Sequence, residues 1–203
     1  MNTDIEKAYD SFAETYEKNR GLFDMSELIN QFEADLQVDD GHLLDLGCGA
    51  GEPFSKFFVD NGWSVTGVDL SLKMLELANR YVPQMNTIHS NMTEVDFKEN
   101  SFDAIIAIYS LFHAPREKHP QLFSRIYKWL ISGGKVLFTY AGQEYTGSET
   151  FSGTKEFMGQ KLFYSHDTPE ELNQKLKSAG FKICREEHKT IGGETFLWVT
   201  AEK

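Results

Sequence analysis

The sequence predicts an α/β domain in which a seven-stranded, mostly parallel sheet with an antiparallel last strand is wrapped by helices on both faces. Three observations carry that expectation. Apolar runs of strand length alternate with amphipathic helical stretches from His42 to Tyr140, the pattern of parallel strands joined by right-handed crossovers. The first of those runs ends in a glycine loop, Gly47-Cys48-Gly49-Ala50-Gly51. The chain then closes with two strand-like runs joined through Ile191-Gly192-Gly193, a hairpin signal that turns the last strand antiparallel beside the sixth.

Two amphipathic helices come first. Residues 3–20 carry Ile5, Ala8, Tyr9, Phe12, Ala13 and Tyr16 at helical spacing, and Met25 to Leu36 uses Leu28, Ile29, Phe32 and Leu36. Leu43, Leu44 and Leu46 make an apolar run too brief for a helix and suited to a strand covered on both faces. Glu52-Pro53 restarts regular structure, with proline expected in the first helical turn. Phe54, Phe57 and Phe58 give that helix its face, and Gly62 ends it. Ser64 to Leu70 is a strand ending on Asp69, and Ser71 is positioned to cap a helix through Tyr81. Asn86–Ser90 and Phe102–Tyr109 are the next strands. His119–Leu130 reads as a helix broken by Gly133-Gly134, with Lys135–Tyr140 as the fifth strand. Pro169–Ala179 is the last helix, and Phe181–Thr190 and Glu194–Ala201 form the closing hairpin.

Residues 142–167 are an insertion holding Tyr145, Phe151, Phe157, Met158, Phe163 and Tyr164. A loop of that length is usually functional or disordered, and so many aromatics argue against a disordered tether. It is expected to form a lid over a substrate pocket. Residues 1–37 would be a helical cap on the other wall, within a single domain spanning 1–203.

Composition narrows the partners. The formal net charge of −11 excludes binding to nucleic acid through a broad basic surface, and equally an anionic membrane surface. The cysteines, Cys48 and Cys184, have neither metal-ligand nor disulfide-framework spacing, and neither has an activating partner in sequence. No metal is expected. Neither a signal peptide nor an apolar run of spanning length is seen, so the expected home is the cytoplasm, as a monomer or homodimer.

A ligand over the glycine loop would meet free backbone N–H groups and the positive end of a helix dipole. The spacing is G-x-G-x-G, whereas the dinucleotide fingerprint is G-x-G-x-x-G. Glu52 stands where that fingerprint has its last glycine, and a carboxylate there would repel a pyrophosphate. Asp69 lies eighteen residues beyond Gly51 and ends the second strand. A carboxylate at that edge can accept both ribose hydroxyl hydrogens of an adenosine.

Leu43-Asp45-Gly47-Gly49-Gly51, Val68-Asp69-Leu70-Ser71-Met74-Leu75-Ala78, Ser90-Asn91-Met92, Ser101-Phe102-Asp103 and Leu130-Gly133-Gly134 follow one another in a set order. Over Leu43 to Tyr140 that order resembles the class I S-adenosylmethionine (SAM)-dependent methyltransferases, in their small-molecule branch. The resemblance implies a Rossmann-like fold, SAM as cofactor with S-adenosylhomocysteine (SAH) as product, and a small-molecule methyl acceptor. It further implies that Gly47, Cys48, Gly49 and Gly51 line the methionine and ribose portions, with Asp69 on the ribose. Leu70 and Met74 would pack against adenine, and Ile108 would lie beside the cofactor. Asn91 stands where the family usually has Asp and would offer its amide oxygen to the adenine amino group, while the Met92 N–H would meet the ring nitrogen. Tyr9 and Tyr16 match the family's Y-D-x-F-A-x-x-Y pattern, in which the second tyrosine closes over the methionine moiety. Arg20 would pair with its carboxylate.

Methyl transfer is an in-line displacement in which a protonated nucleophile needs a base. His113, just after the fourth strand, and His166, before the last helix, compete for that role. A NAD-dependent oxidoreductase shares the first strand–helix–strand unit and the ribose acid, but the glycine spacing and the terminal hairpin oppose it. A SAM-binding protein without catalysis stays open. A nucleic-acid methyltransferase is opposed by Ile108-Tyr109-Ser110-Leu111, where a D/N-P-P-Y/F motif would stand. The methylated atom, oxygen, nitrogen or sulfur, is left open.

Overall fold

The computed structural model describes residues 2–19 and 24–203. Two helices, α1 (Asn2–Asn19) and α2 (Ser26–Leu36), precede β1 (His42–Leu46). Then come α3 (Phe54–Asp60), β2 (Ser64–Asp69), α4 (Leu72–Tyr81), β3 (Asn86–His89), β4 (Phe102–Ala107), α5 (His119–Trp129) and β5 (Leu130–Tyr140). After β5 follow α6 (Gln143–Thr146), β6 (Phe151–Phe157), β7 (Gln160–His166), α7 (Pro169–Ala179), β8 (Lys182–Ile191) and β9 (Glu194–Glu202). The main sheet has seven strands in the order β3-β2-β1-β4-β5-β9-β8. Pairs among β1 to β5 are parallel, and β9 runs antiparallel between β5 and β8.

Alternation along each strand sorts the side chains onto two faces. Leu44, Leu46, Ile105, Ala107 and Phe138 pack with Leu122 and Ile126 of α5 and Leu172 and Leu176 of α7. Leu43, Val65, Ala104, Ile106 and Leu137 pack with Phe32 of α2, Phe58 of α3 and Leu75 of α4. Leu43, Leu44 and Leu46 have no solvent exposure, so each contributes about 1.5–3 kcal/mol of apolar burial. A third cluster joins Ala8 and Phe12 of α1 to Phe112, Leu162, Tyr164 and Phe196, and covers the carboxyl edge beyond β4 and β5.

Local signals settle the helix ends. Ser71 accepts the Met74 N–H at 3.1 Å, as the expected cap. Thr168 and Glu171 form a reciprocal capping box at the start of α7. The chain leaves β1 toward β2 on one side, and β4 lies on the other. This reversal opens a crevice at the carboxyl ends of the strands.

Three expectations are corrected. The 142–167 segment is not a long loop: after the short α6 it is an antiparallel hairpin, β6 against β7, with Gly153 opposite Tyr164 and Lys155 opposite Leu162. Met158 and Gly159 turn it with φ of +50° and +76°, the conformation of a tight two-residue hairpin turn. The Gly133-Gly134 pair does not separate α5 from the fifth strand. β5 begins at Leu130 and the glycines lie in a bulge, where the register against β4 slips between Phe102 and Ala104. Pro53 stands one residue before α3 as its N-cap, where its carbonyl accepts the Phe57 N–H at 3.1 Å, and not within the first turn. Among the described residues no helix is long and apolar enough to cross a membrane.

Candidate functional site

The site begins where β1 stops. The Gly47 and Cys48 N–H groups both donate to the Val68 carbonyl, at 2.7 and 3.1 Å, so the chain crosses over the end of β2. Gly47 and Gly49 have φ of +84° and +52°, a region that favours glycine. A Cβ on Gly47 would lie 2.3 Å from that of Ser110, whereas one on Gly49 would meet nothing within 4 Å and would point into open space. The loop is therefore tight against protein at one glycine and open to a ligand at the next.

Asp69 ends β2 across from this loop. One carboxylate oxygen accepts the Gly49 N–H at 2.9 Å and the other the Ser71 N–H at 2.8 Å. Burial raises its pKa above the usual carboxylate value, against the lowering effect of those backbone donors. Each oxygen keeps a lone pair for a further donor. Beneath the loop, Ser55 of α3 donates to Asp45 at 2.7 Å, and burial pushes the Asp45 carboxyl up to about 7.

A cleft holding about 650 Å³ of empty space, its mouth included, opens above these groups. Of the expected residues, Gly47, Gly49, Asp69, Leu70, Met74, Met92, Ile108 and His113 line it. Cys48 does not: its thiol is buried, close enough that a Cβ on Gly67 would come within 2.7 Å of the sulfur. Gly51 likewise packs below the loop, where an added Cβ would lie 2.9 Å from Val82. The Asn91 amide oxygen accepts from the Thr93 N–H at 2.9 Å and the Thr93 hydroxyl at 3.0 Å. Both its lone pairs are engaged, which leaves none for an adenine amino group in this arrangement. Tyr16 lies on α1 with its side chain outside the described residues, and Arg20 lies outside them altogether.

The two histidines part company. His113 lines the cleft, and its Nδ1 stands 2.7 Å from the Phe163 carbonyl. A carbonyl only accepts, so Nδ1 carries the hydrogen and Nε2 presents a lone pair, 2.9 Å from the Tyr9 hydroxyl. Burial lowers the His113 pKa to about 4, so the ring is neutral near pH 7. His166 is fully buried outside the cleft. Its Nδ1 donates to the Asp167 carbonyl at 3.1 Å, its Nε2 lies 2.7 Å from the Thr146 hydroxyl, and its ring stacks on Phe151.

Sequence reasoning gave no role in the site to Glu6, which reaches the cleft from α1. Nor did it single out Tyr109, whose φ of +54° is rare for a bulky residue, with its N–H donating to the Thr139 hydroxyl at 2.6 Å. Helical spacing sets Ile5, Glu6 and Tyr9 near one face of α1, but nothing local says that this face covers a cleft. Asp10 fixes the helix there by accepting from the Ser71 hydroxyl at 2.5 Å.

Comparison with known proteins agrees with this geometry. Residues 44–138 match the family model described as a methyltransferase domain. Phosphoethanolamine N-methyltransferase 3 of Arabidopsis thaliana is 30% identical over 187 residues, covering 88% of this chain and 36% of its own length. The chain spans about a third of the length of such plant relatives. Among solved structures, a 1,6-didemethyltoxoflavin-N1-methyltransferase of Burkholderia thailandensis superposes with a TM-score of 0.74 at 22% identity, covering 100% of this chain and 86% of that one. A SAM-dependent methyltransferase of Mesorhizobium loti gives 0.71 at 20% identity, covering 86% and 96%. With the strand order, the glycine loop and the acid at the end of β2 already in place, residues 44–138 match a methyltransferase domain, and the chain has the fold of the SAM-dependent methyltransferases it superposes on.

Proposed function

We propose that this protein transfers a methyl group from SAM to a nitrogen atom of a small acceptor, with the Tyr9–His113 pair receiving the proton. The observation that carries the reading is the 2.9 Å contact between the Tyr9 hydroxyl and His113 Nε2 on the wall of the cleft. The residues present fit the cofactor: the open side of Gly49 leaves room, and Asp69 retains lone pairs for two ribose hydroxyls. Leu70, Met74, Met92 and Ile108 supply apolar walls. SAM supplies an electrophilic methyl on a sulfonium, so the protein's task is alignment and proton removal.

A neutral nitrogen attacks with its own lone pair before any proton leaves, and where that nitrogen is conjugated, as in a heterocycle, the alkylated cation is strongly acidic. A weak base suffices for the proton it then sheds. His113, with a pKa near 4 and no carboxylate among its hydrogen-bond partners, suits that demand better than the deprotonation of a hydroxyl before attack. The names of the Arabidopsis and Burkholderia relatives both state transfer to nitrogen, which supports the same reading. In it, α1 and the β6–β7 hairpin form the lid, joined through Phe12 and Phe157 at 5.8 Å between ring centroids, and exclude water from the reacting atoms. Free Cys48 and Cys184 fit a reducing compartment such as the cytoplasm.

The test is methyl transfer from labelled SAM to a panel of amines, nitrogen heterocycles, phenols and thiols. Label is expected in nitrogen compounds. His113→Gln should lower turnover roughly 10²–10⁴-fold, the usual contribution of a positioned base, with SAH affinity unchanged. Preferential labelling of phenols or thiols would overturn the nitrogen assignment. Full turnover in His113→Gln would remove the base.

A further inference from the structure

The segment that carries His113 is stitched in place from behind. A turn of 3-10 helix spans Leu111–His113, and the next residue, Ala114, has a carbonyl that receives two side chains. The Ser165 hydroxyl of β7 donates to it at 2.6 Å, and His119 Nε2 of α5 lies 3.0 Å away. Because the carbonyl only accepts, His119 must carry its hydrogen on Nε2, which leaves Nδ1 facing the Tyr140 hydroxyl at 3.1 Å. Tyr140 in turn accepts the Asp167 N–H at 3.0 Å and lies 3.1 Å from the Asp167 carboxylate. Its single hydrogen is therefore shared between two acceptors. Lys175 pairs with Asp167 and also donates to the Arg116 carbonyl at 3.2 Å, two residues beyond Ala114. His119 and Ser165 have no solvent exposure. β7 thus touches the segment twice, through the Phe163 carbonyl on the His113 ring and through Ser165 on Ala114.

We infer that His119 and Ser165 are positioning residues for His113: by fixing the Ala114 carbonyl they hold the imidazole with Nδ1–H on Phe163 and Nε2 toward Tyr9. Neither residue lines the cleft. A strand and a helix that merely needed packing partners would not require two buried donors on one carbonyl adjoining the candidate base. The inference rests on the reading of His113 as the proton acceptor, and its test reports on the ring's geometry directly.

The experiment uses the full chain labelled with ¹⁵N-histidine, with the His113 signals among the six histidines identified through His113→Gln. Wild type should show one fixed tautomer at His113, protonated on Nδ1, with slow solvent exchange of that proton. Ser165→Ala and His119→Ala should mix the two tautomers and speed that exchange at least tenfold. His119→Gln, whose amide can still donate to Ala114, should restore the wild-type signature. SAH affinity by calorimetry should stay unchanged in all of them. A single Nδ1–H tautomer with unaltered exchange in Ser165→Ala overturns the inference, even if His119→Ala fails to fold. Loss of the signature in His119→Gln as severe as in His119→Ala overturns it too. Should His113→Gln keep full methyl transfer, the base assignment fails while the measured effect on ring geometry stands.

Discussion

Replacing Asp69 with alanine tests the cofactor site at the point where its geometry is best defined. The side chain holds two backbone donors, Gly49 at 2.9 Å and Ser71 at 2.8 Å, and would accept two ribose hydroxyls with what remains. Alanine removes the charge-assisted ribose contacts, together worth about 1.5–3 kcal/mol net. It also frees the Gly49 N–H and loosens the loop. Since 1.4 kcal/mol is tenfold in affinity, the SAH dissociation constant should rise by roughly 10- to 150-fold. Asparagine is not a neutral control. Its NH₂ would face one of the two backbone donors, so it should lose affinity as well, though less than alanine. The assay is calorimetric titration with SAH at pH 7.5, beside a melting curve without ligand. Because burial raises the Asp69 pKa, wild-type affinity should also fall on acidification at a pH above the ordinary carboxylate range. A folded Asp69→Ala protein binding SAH within twofold of wild type would refute the assignment.

Gly49→Val should abolish the SAH-induced rise in melting temperature, since its Cβ would enter the open side of the loop and a β-branched residue resists φ of +52°. A variant that still gains stability from SAH would remove Gly49 from the site. His119 has its folded pKa depressed from 6.5 to about 4, so the unfolded chain binds its proton first. Its stabilising contribution is present above pH 6.5 and is lost as pH falls toward 4, by about 3 kcal/mol, as urea midpoints across that range would show. Asp45 has the opposite sign: its folded pKa, raised from 3.8 to about 7, makes stability fall as pH rises through that window. Asp45→Asn keeps an acceptor for Ser55 and should therefore be the more stable protein at pH 8, by up to about 4 kcal/mol. A midpoint at pH 8 below that of wild type would contradict the raised pKa of the buried Asp45 carboxyl.

What the sequence determined by itself lies within short reach along the chain. The glycine spacing after β1, the cap at Ser71, the acid closing β2 and the Gly192-Gly193 hairpin each depend on the backbone preferences of a few neighbouring residues. Such preferences survive in any tertiary setting. The β6–β7 hairpin was less legible, because β6 carries glycine, serine and threonine and buries alternate residues only partly. Its pairing is decided by the seat that Leu162 and Tyr164 find against Phe112 and α1. The tertiary structure alone joined Tyr9 to His113 across 104 residues, since that contact exists only once α1 lies over the cleft. It also separated the two histidines, which look alike in sequence. One meets the cleft and the other is enclosed by Thr146, Phe151 and Tyr140, because exposure and protonation follow from what folds around a side chain.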